Sequence, residues 1–272
     1  PYLVRRLLEN GANSSFVNRF LDEKEPIYKL TQHPSEKVSK YKSFRNNSIQ
    51  LPKELFLKSG DGWLNSCGVD SQNFNEIKLI ESNYNQMREK QYEAHSLLAG
   101  KKICNKYRLK RNPYNSQKIG SWSAATEHDI EKLIKFLNKN KPNQISWPLC
   151  ERTEALTRLA SLIEKNVFEL AWLLSIEAGR TIEDALSEIR EAADFCRYYT
   201  SCATKLVSEN QIEETAGGIF LCISPWNFPL AIFVGQVVAA LVSGNVVIAK
   251  PAEQTPLIAY KAVELFYKSG VP

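Results

Sequence analysis

Two short apolar runs near the end of the chain, Ile219-Phe220-Leu221-Cys222-Ile223 and Val246-Val247-Ile248-Ala249, constrain the fold more than any other feature. Neither alternates apolar with polar residues, so each reads as a strand buried on both faces of a sheet. Between them, Pro229 suits the first turn of a helix running to Gly244, because the amide that proline lacks is one a helix cannot pair there. Asn245 then turns the chain into the second strand. Thr255-Pro256 opens another helix, whose apolar positions Ile258, Val263, Leu265 and Phe266 lead to Lys268 and Gly270. Strand, helix, strand, helix in a compact domain means parallel strands joined by a right-handed crossover. The fold class is therefore α/β, and with only Val271 and Pro272 after Gly270 the sheet begun here has two strands of its own.

The preceding segment supplies helices that need such a sheet to cover. Thr126 can cap a helix through Asn138, and Leu156, Leu159, Ala160, Ile163, Val167, Leu170 and Leu174 hold helical spacing until Gly179. Thr181, with Asp184 three residues on, starts a helix carrying Ala185, Ile189, Ala192 and Cys196 on one side. Upstream the pattern is less regular. Tyr2 to Glu9 is a short amphipathic helix stopped by Asn10-Gly11. From Asp22 to about Gly68, Pro26, Pro34, Pro52 and Gly60-Asp61-Gly62 mark a linker with brief helical turns. Residues 74–99 look helical again, with Ile77, Ile80, Tyr84 and Met87 at three- and four-residue steps. The run Lys101 to Arg111 alternates basic and apolar residues as an exposed edge strand does, a contact surface for a polyanion being the alternative.

Charge divides the chain in the same place: residues 1–111 hold 20 Lys+Arg and 12 Asp+Glu, residues 112–272 hold 15 and 18. The overall excess of +5 makes no case for a nucleic-acid binder without a localised basic face. Six cysteines without a CxxC pair or zinc spacing point to a reduced, cytoplasmic setting. The most apolar stretch, Gly218 to Ala249, is broken by Trp226-Asn227, Gln236 and Ser243-Gly244-Asn245 and falls short of a membrane span. The chain opens on Pro1 rather than Met, without a signal peptide's apolar core, and reads as part of something longer.

A parallel strand–helix–strand unit presents its ligand crevice at the carboxyl ends of its strands. Two segments fall there. Ser224-Pro225-Trp226-Asn227-Phe228-Pro229 puts a rigid aromatic turn where an ordinary dinucleotide fold has a glycine-rich phosphate loop, and no GxGxxG is present. Lys250-Pro251-Ala252-Glu253 follows the second strand at once, where such folds place an acidic residue on the adenosine ribose. The plainer alternative makes Lys250 and Glu253 a surface ion pair, worth about 0–1 kcal/mol, and Trp226 a core residue.

These motifs, with Ser243-Gly244-Asn245, Gln254-Thr255-Pro256 and the earlier Glu177-Ala178-Gly179-Arg180-Thr181, resemble the aldehyde dehydrogenase superfamily. Arg180 stands where that motif leads one to expect lysine, a change that keeps the charge. The resemblance implies an aldehyde dehydrogenase-like, Rossmann-type parallel sheet with flanking helices, incomplete in this chain. NAD would lie across the crevice, its ribose held by Lys250 and Glu253 and its pyrophosphate near Ile223, Ser224, Pro225 and Trp226. It also implies that Asn227 donates its side-chain amide to the oxyanion formed when a thiolate attacks an aldehyde. A fixed donor of this kind is commonly worth about 3 kcal/mol of barrier.

The first residues, Tyr2 to Arg19, resemble the end of the proline dehydrogenase barrel in the proline utilisation A family of bifunctional proline catabolic enzymes. Tyr2, Arg5, Arg6 and Glu9 fall at i, i+3, i+4 and i+7 and share a helix face. By the resemblance Arg5 and Arg6 would grip the proline carboxylate, Tyr2 would pack by the substrate ring, and Glu9 would lie near FAD; otherwise the face is a solvated cationic one. The implied division is 1–21 as the end of a β/α barrel, 22–111 as a linker or arm, and 112–272 as the first part of an NAD-binding domain.

The activity so implied is oxidation of proline to glutamate, by FAD-dependent proline dehydrogenase and then NAD-dependent glutamate semialdehyde dehydrogenase, with a quinone taking electrons from the flavin. The nucleophilic cysteine and general-base glutamate would lie beyond Pro272 and the flavin-binding strands before Pro1, so the 272 residues alone should catalyse neither step. Cys222, the cysteine nearest the crevice, reads as inert packing. A homo-oligomer and a cytoplasmic location are implied, with peripheral attachment at the inner membrane and DNA contact through a domain outside the chain as open additions. Three other readings stand beside this one: a single-function NAD-dependent aldehyde dehydrogenase with an unrelated N-terminal extension, a silent scaffold, and a DNA-binding proline-operon repressor.

Overall fold

A computed structural model describes residues 2–11, 16–41, 48–58, 62–144, 147–209 and 218–272. The chain divides into two compact units, Pro1–Gln50 and Leu51–Pro272. In the first, helices α1 (Tyr2–Gly11), α2 (Phe16–Leu21), α3 (Ile27–Thr31) and α4 (Pro34–Ser39) follow one another as short turns. Leu3, Leu7, Leu8, Phe16 and Phe20 are exposed, and among the described residues these helices bury no core of their own. Phe16 stacks on Phe20 at 6.0 Å, and Arg19 pairs with Glu25.

The second unit begins with a 3-10 turn (Pro52–Glu54) and α5 (Leu55–Lys58), then α6 (Phe74–Met87). Helix α6 ends where the apolar spacing that predicts it ends. Residues 92–98 are not its continuation but strand β1 (Tyr92–Leu98), followed by β2 (Lys101–Ile103), β3 (Tyr107–Arg111) and β4 (Lys118–Ser123). Their order is β2-β1-β4-β3, with β1 and β4 parallel and the other pairs antiparallel. The basic run therefore occupies both edges, where lysine discourages further pairing. Arg108 lies over the Trp122 ring at 5.3 Å.

Helices α7 (Glu127–Gln144), α8 (Leu149–Lys165), α9 (Val167–Ala178) and α10 (Ile182–Ser208) come next. Thr126 accepts the Asp129 amide at 3.3 Å and Thr181 that of Asp184 at 3.2 Å, the two caps expected from sequence. The helical spacing through Leu174 is divided between α8 and α9, because Asn166 donates its side-chain amide to the Leu162 carbonyl at 2.7 Å and closes the first helix. Gly179, at φ 71°, ends α9 in the left-handed conformation glycine adopts without steric cost.

The last stretch is β5 (Ile219–Ile223), α11 (Ala231–Val242), β6 (Val246–Lys250) and α12 (Pro256–Ser269). β5 and β6 pair in parallel from Ile219↔Val246 to Ile223↔Lys250, as their order predicts. The Asn245 side chain ties their starts together, accepting the Gly218 amide at 3.0 Å and donating to Ala240 at 3.2 Å. Burial of β5 on both faces is not realised. Cys222 is buried, but Leu221 is 61% exposed and Phe220 and Ile223 are exposed too. Ile219, Leu221 and Ile223, two residues apart, share one face and are all exposed, so that face is uncovered, while Cys222 turns the other way into the core. Helix α11 is also shorter than expected: Pro229 stands two residues ahead of its first residue.

The core lies among α8–α12. Leu156, Leu159, Ile163, Leu170, Leu174, Ile189, Phe233, Ile258 and Leu265 are fully buried, each worth about 1.5–3 kcal/mol of transfer free energy. Helix α10 runs along both α8 and α11, and Gly235 permits the close approach of α11. A Cβ there would stand 2.9 Å from a ring carbon of Phe195.

Candidate cofactor crevice

The parallel pairing of β5 with β6 determines what meets at their carboxyl ends. Ile223 and Lys250 are register partners, and one residue further the Ser224 amide donates to the Lys250 carbonyl at 3.2 Å. The aromatic turn and the Lys250–Glu253 turn therefore leave the same sheet edge. Ser224 is buried, and among the described residues its hydroxyl has no hydrogen-bond partner. Trp226 is 56% exposed, which corrects the alternative that it is a core residue. Asn227 is exposed as well.

Lys250 Nζ reaches the Pro251 carbonyl at 3.2 Å and Glu253 Oε2 at 3.5 Å. A backbone amide and the Lys250 ammonium hold the Glu253 carboxyl below its usual range, so it is ionised at neutral pH. Both side chains are exposed. A ribose between them would find an acceptor in one and a donor in the other. These residues fit the adenosine side of an adenine dinucleotide.

Two buried glutamates that pattern reading passes over hold the starts of the helices that follow the two turns. Glu188 on α10 accepts the Leu230 and Ala231 amides through Oε1, at 2.8 and 3.2 Å, and so fixes where α11 begins. Its Oε2 lies 3.2 Å from Arg180 Nε, an ion pair off the angle of a hydrogen bond. Arg180 covers the Phe228 ring at 4.6 Å. Burial pushes the Glu188 carboxyl up, against the two amides and Arg180. Glu177, at the end of α9, accepts the Leu257 and Ile258 amides at 2.8 Å each, serving as the cap of α12 that Thr255 does not provide. Burial pushes its carboxyl up to about 7, opposed by these amides and Lys110. Lys110 of β3 donates to the Gln254 carbonyl.

A signal for Glu188 was available: it stands three residues after Ala185 and four before Ala192, on the buried face of α10. Two amides at the start of each of α11 and α12 are thus occupied by an internal carboxylate, consistent with the absence of a glycine-rich loop that would offer them to phosphate.

Cys222 and Cys196 are buried, and burial raises both thiols, so neither is an activated nucleophile. Tyr2, Arg5 and Arg6 lie in the other unit, exposed on α1, with the Arg5 guanidinium 5.8 Å from the Tyr2 ring centroid. The side chain of Glu9 is outside the described residues. Among the described residues no three His, Cys, Asp or Glu side chains group as metal ligands, and no helix is long and apolar enough to cross a membrane.

Residues 104–272 match the sequence model of the aldehyde dehydrogenase family. Over its whole length the chain is 38% identical to the bifunctional protein PutA of Salmonella typhimurium and to that of Escherichia coli, and spans 21% of each. It is 33% identical to a 1-pyrroline-5-carboxylate dehydrogenase of Staphylococcus aureus over 65% of this chain and 37% of that protein. Among solved structures, a proline utilization A variant from Bradyrhizobium japonicum superposes over all of this chain and 25% of its own, with a TM-score of 0.73 at 36% identity. The 1-pyrroline-5-carboxylate dehydrogenase of Thermus thermophilus covers 77% of this chain and 43% of its own, at 0.70 and 25%. With the parallel β5–β6 pair and its flanking helices inside the matched region, the chain belongs to the aldehyde dehydrogenase family.

Proposed function

We propose that this chain is part of a bifunctional enzyme that oxidises L-proline to L-glutamate. In this reading residues 112–272 begin its NAD-binding domain, 1–21 close its proline dehydrogenase barrel, and 22–111 link the two. The observation that carries the proposal is the Ser224–Lys250 backbone hydrogen bond, which brings the aromatic turn and the lysine–glutamate pair to one sheet edge. Bound there, NAD supplies the hydride acceptor for glutamate semialdehyde.

The chain's own residues bind and orient. Lys250 and Glu253 hold the ribose, Ile223 to Trp226 line the approach of the pyrophosphate, and Asn227 aims its amide at the oxyanion that develops as a thiolate adds to the aldehyde carbon. The thiolate and the base that activates water for thioester hydrolysis come from residues outside the 272. On α1, Arg5 and Arg6 offer the paired guanidinium forks that suit a carboxylate. FAD, with a quinone as its electron acceptor, enters through the resemblance of this helix. The bifunctional reading is favoured over the single-function one because the PutA relatives match all of this chain, whereas the Staphylococcus aureus dehydrogenase matches 65% of it.

The test is Lys250→Ala in the full-length protein. Losing a charged donor to the ribose raises the KM for NAD on the order of tenfold or more, with thermal stability unchanged. An unaltered KM for NAD would remove Lys250 from the site and the dinucleotide from this crevice.

A further inference from the structure

Asn227 lies in a turn whose two ends are tied to different parts of the fold. On one side the Ser224 amide is bonded to the Lys250 carbonyl. On the other, Phe228 is covered by the Arg180 guanidinium at 4.6 Å, and the Leu230 and Ala231 amides are held by Glu188 Oε1. Arg180 and Glu188 are themselves paired at 3.2 Å, with no exposure of the Glu188 side chain and 20% of the Arg180 side chain open. One guanidinium–carboxylate pair thus fixes the residue after Asn227 and the next two backbone amides. Among the described residues Pro225, Trp226 and Asn227 have no such tie of their own.

We infer that Arg180 and Glu188 are positioning residues for Asn227: through the Phe228 ring and the start of α11 they set the direction of the amide that meets the developing oxyanion. The inference rests on the proposed role of Asn227. The chemistry suits the task. A guanidinium can lie flat on an aromatic face while its edge nitrogens face a carboxylate. A carboxylate that accepts two backbone amides cannot move without breaking the start of a helix. An oxyanion donor needs this rigidity, since small displacements of a catalytic group are costly.

The experiment measures NAD-dependent oxidation of glutamate semialdehyde by the full-length protein carrying Arg180→Ala, Arg180→Lys or Glu188→Gln, with Arg180→Ala also combined with Asn227→Ala. Arg180→Ala lowers kcat on the order of 10- to 100-fold and leaves the KM for NAD within about twofold. Arg180→Lys, which keeps a cation over the ring, restores most of the loss. Glu188→Gln keeps the shape and weakens the pair, so kcat falls with the fold intact, which keeps the test available if Arg180→Ala folds poorly. Added to Asn227→Ala, Arg180→Ala costs less than about a further twofold in kcat, because residues acting as one unit are not additive.

An equal loss from Arg180→Ala in both backgrounds, a loss confined to the KM for NAD, or no loss at all would each overturn the inference while Asn227→Ala alone still lowers kcat. If Asn227→Ala alone leaves kcat intact, the oxyanion role of Asn227 fails first and the positioning role falls with it.

Discussion

Glu177 accepts the Leu257 amide at 2.8 Å from the end of a helix eighty residues upstream, entirely within the protein. A second oxygen of the same carboxylate takes the Ile258 amide. Helix α12, whose first turn follows the Lys250–Glu253 turn, is therefore capped by a side chain from another part of the fold. Lys110, from an edge strand of the other sheet, reaches the Gln254 carbonyl in the segment between. The stretch from Lys250 to Ile258 is thus gripped from two elements, and its placement depends on the packing of both.

The Glu177 carboxyl has a consequence for stability. Burial raises it to about 7 from 4.5, so between these values the folded chain binds a proton that the unfolded chain has lost. Stability contributed by this group is fully present below pH 4.5 and declines as pH rises towards 7. The size is on the order of 3 kcal/mol. Glu177→Gln removes the titration, so the slope of thermal midpoint against pH between 5 and 7 becomes flatter than in the parent, although the variant loses one accepted amide and is less stable at pH 5. Parallel slopes in the two proteins would show that Glu177 is ionised throughout.

The order of elements in the last third was legible because apolar runs, Pro256, Asn245 and Gly270 each act locally and agree with one another. Thr126 and Thr181 were legible as caps for the same reason. What escaped was set by distant partners. Glu177 and Glu188 count as polar residues in any periodicity argument, yet both belong to the interior because each satisfies two backbone amides at once. The strand at Tyr92–Leu98 escaped although β2 follows it as a local antiparallel partner, because its first residues, Tyr92 to His95, pair with β4, which lies beyond β2 and β3 in the chain. The apolar run of β5 predicts a strand covered on both faces, and the structure leaves it largely exposed, because cover is a property of neighbours that a run of residues does not encode.

The contact between α10 and α11 rests on the absence of a side chain at Gly235. A valine there places its Cβ 2.9 Å from Phe195 Cδ2 and 3.2 Å from Cε2, and its two further methyl groups must displace the ring or the helix. Overpacking of this kind costs about 1–3 kcal/mol, beyond the fraction of a kcal/mol by which valine exceeds glycine in helix propensity. Urea denaturation of Gly235→Val should show a lower midpoint at unchanged m-value. A midpoint equal to or above the parent's would mean that the ring moves aside freely and that the α10–α11 spacing is not set by this glycine.

In the proposed site Glu253 would bear on the choice between the two nicotinamide dinucleotides. Its carboxyl is exposed and kept ionised by a backbone amide and by Lys250 at 3.5 Å. A carboxylate that accepts hydrogen bonds from a ribose hydroxyl repels a phosphate at the same place, which is how an acidic residue after the second strand selects NAD. Removing the charge while keeping the shape, with Glu253→Gln, lifts that repulsion and leaves Lys250 facing the phosphate. In the full-length protein the ratio of kcat/KM for NADP to that for NAD should rise on the order of tenfold, the equivalent of about 1.4 kcal/mol. The gain comes from a lower KM for NADP rather than a higher kcat. If the ratio stays at the parent value while Lys250→Ala still weakens NAD, then Glu253 faces solvent beside the crevice and selectivity is set elsewhere.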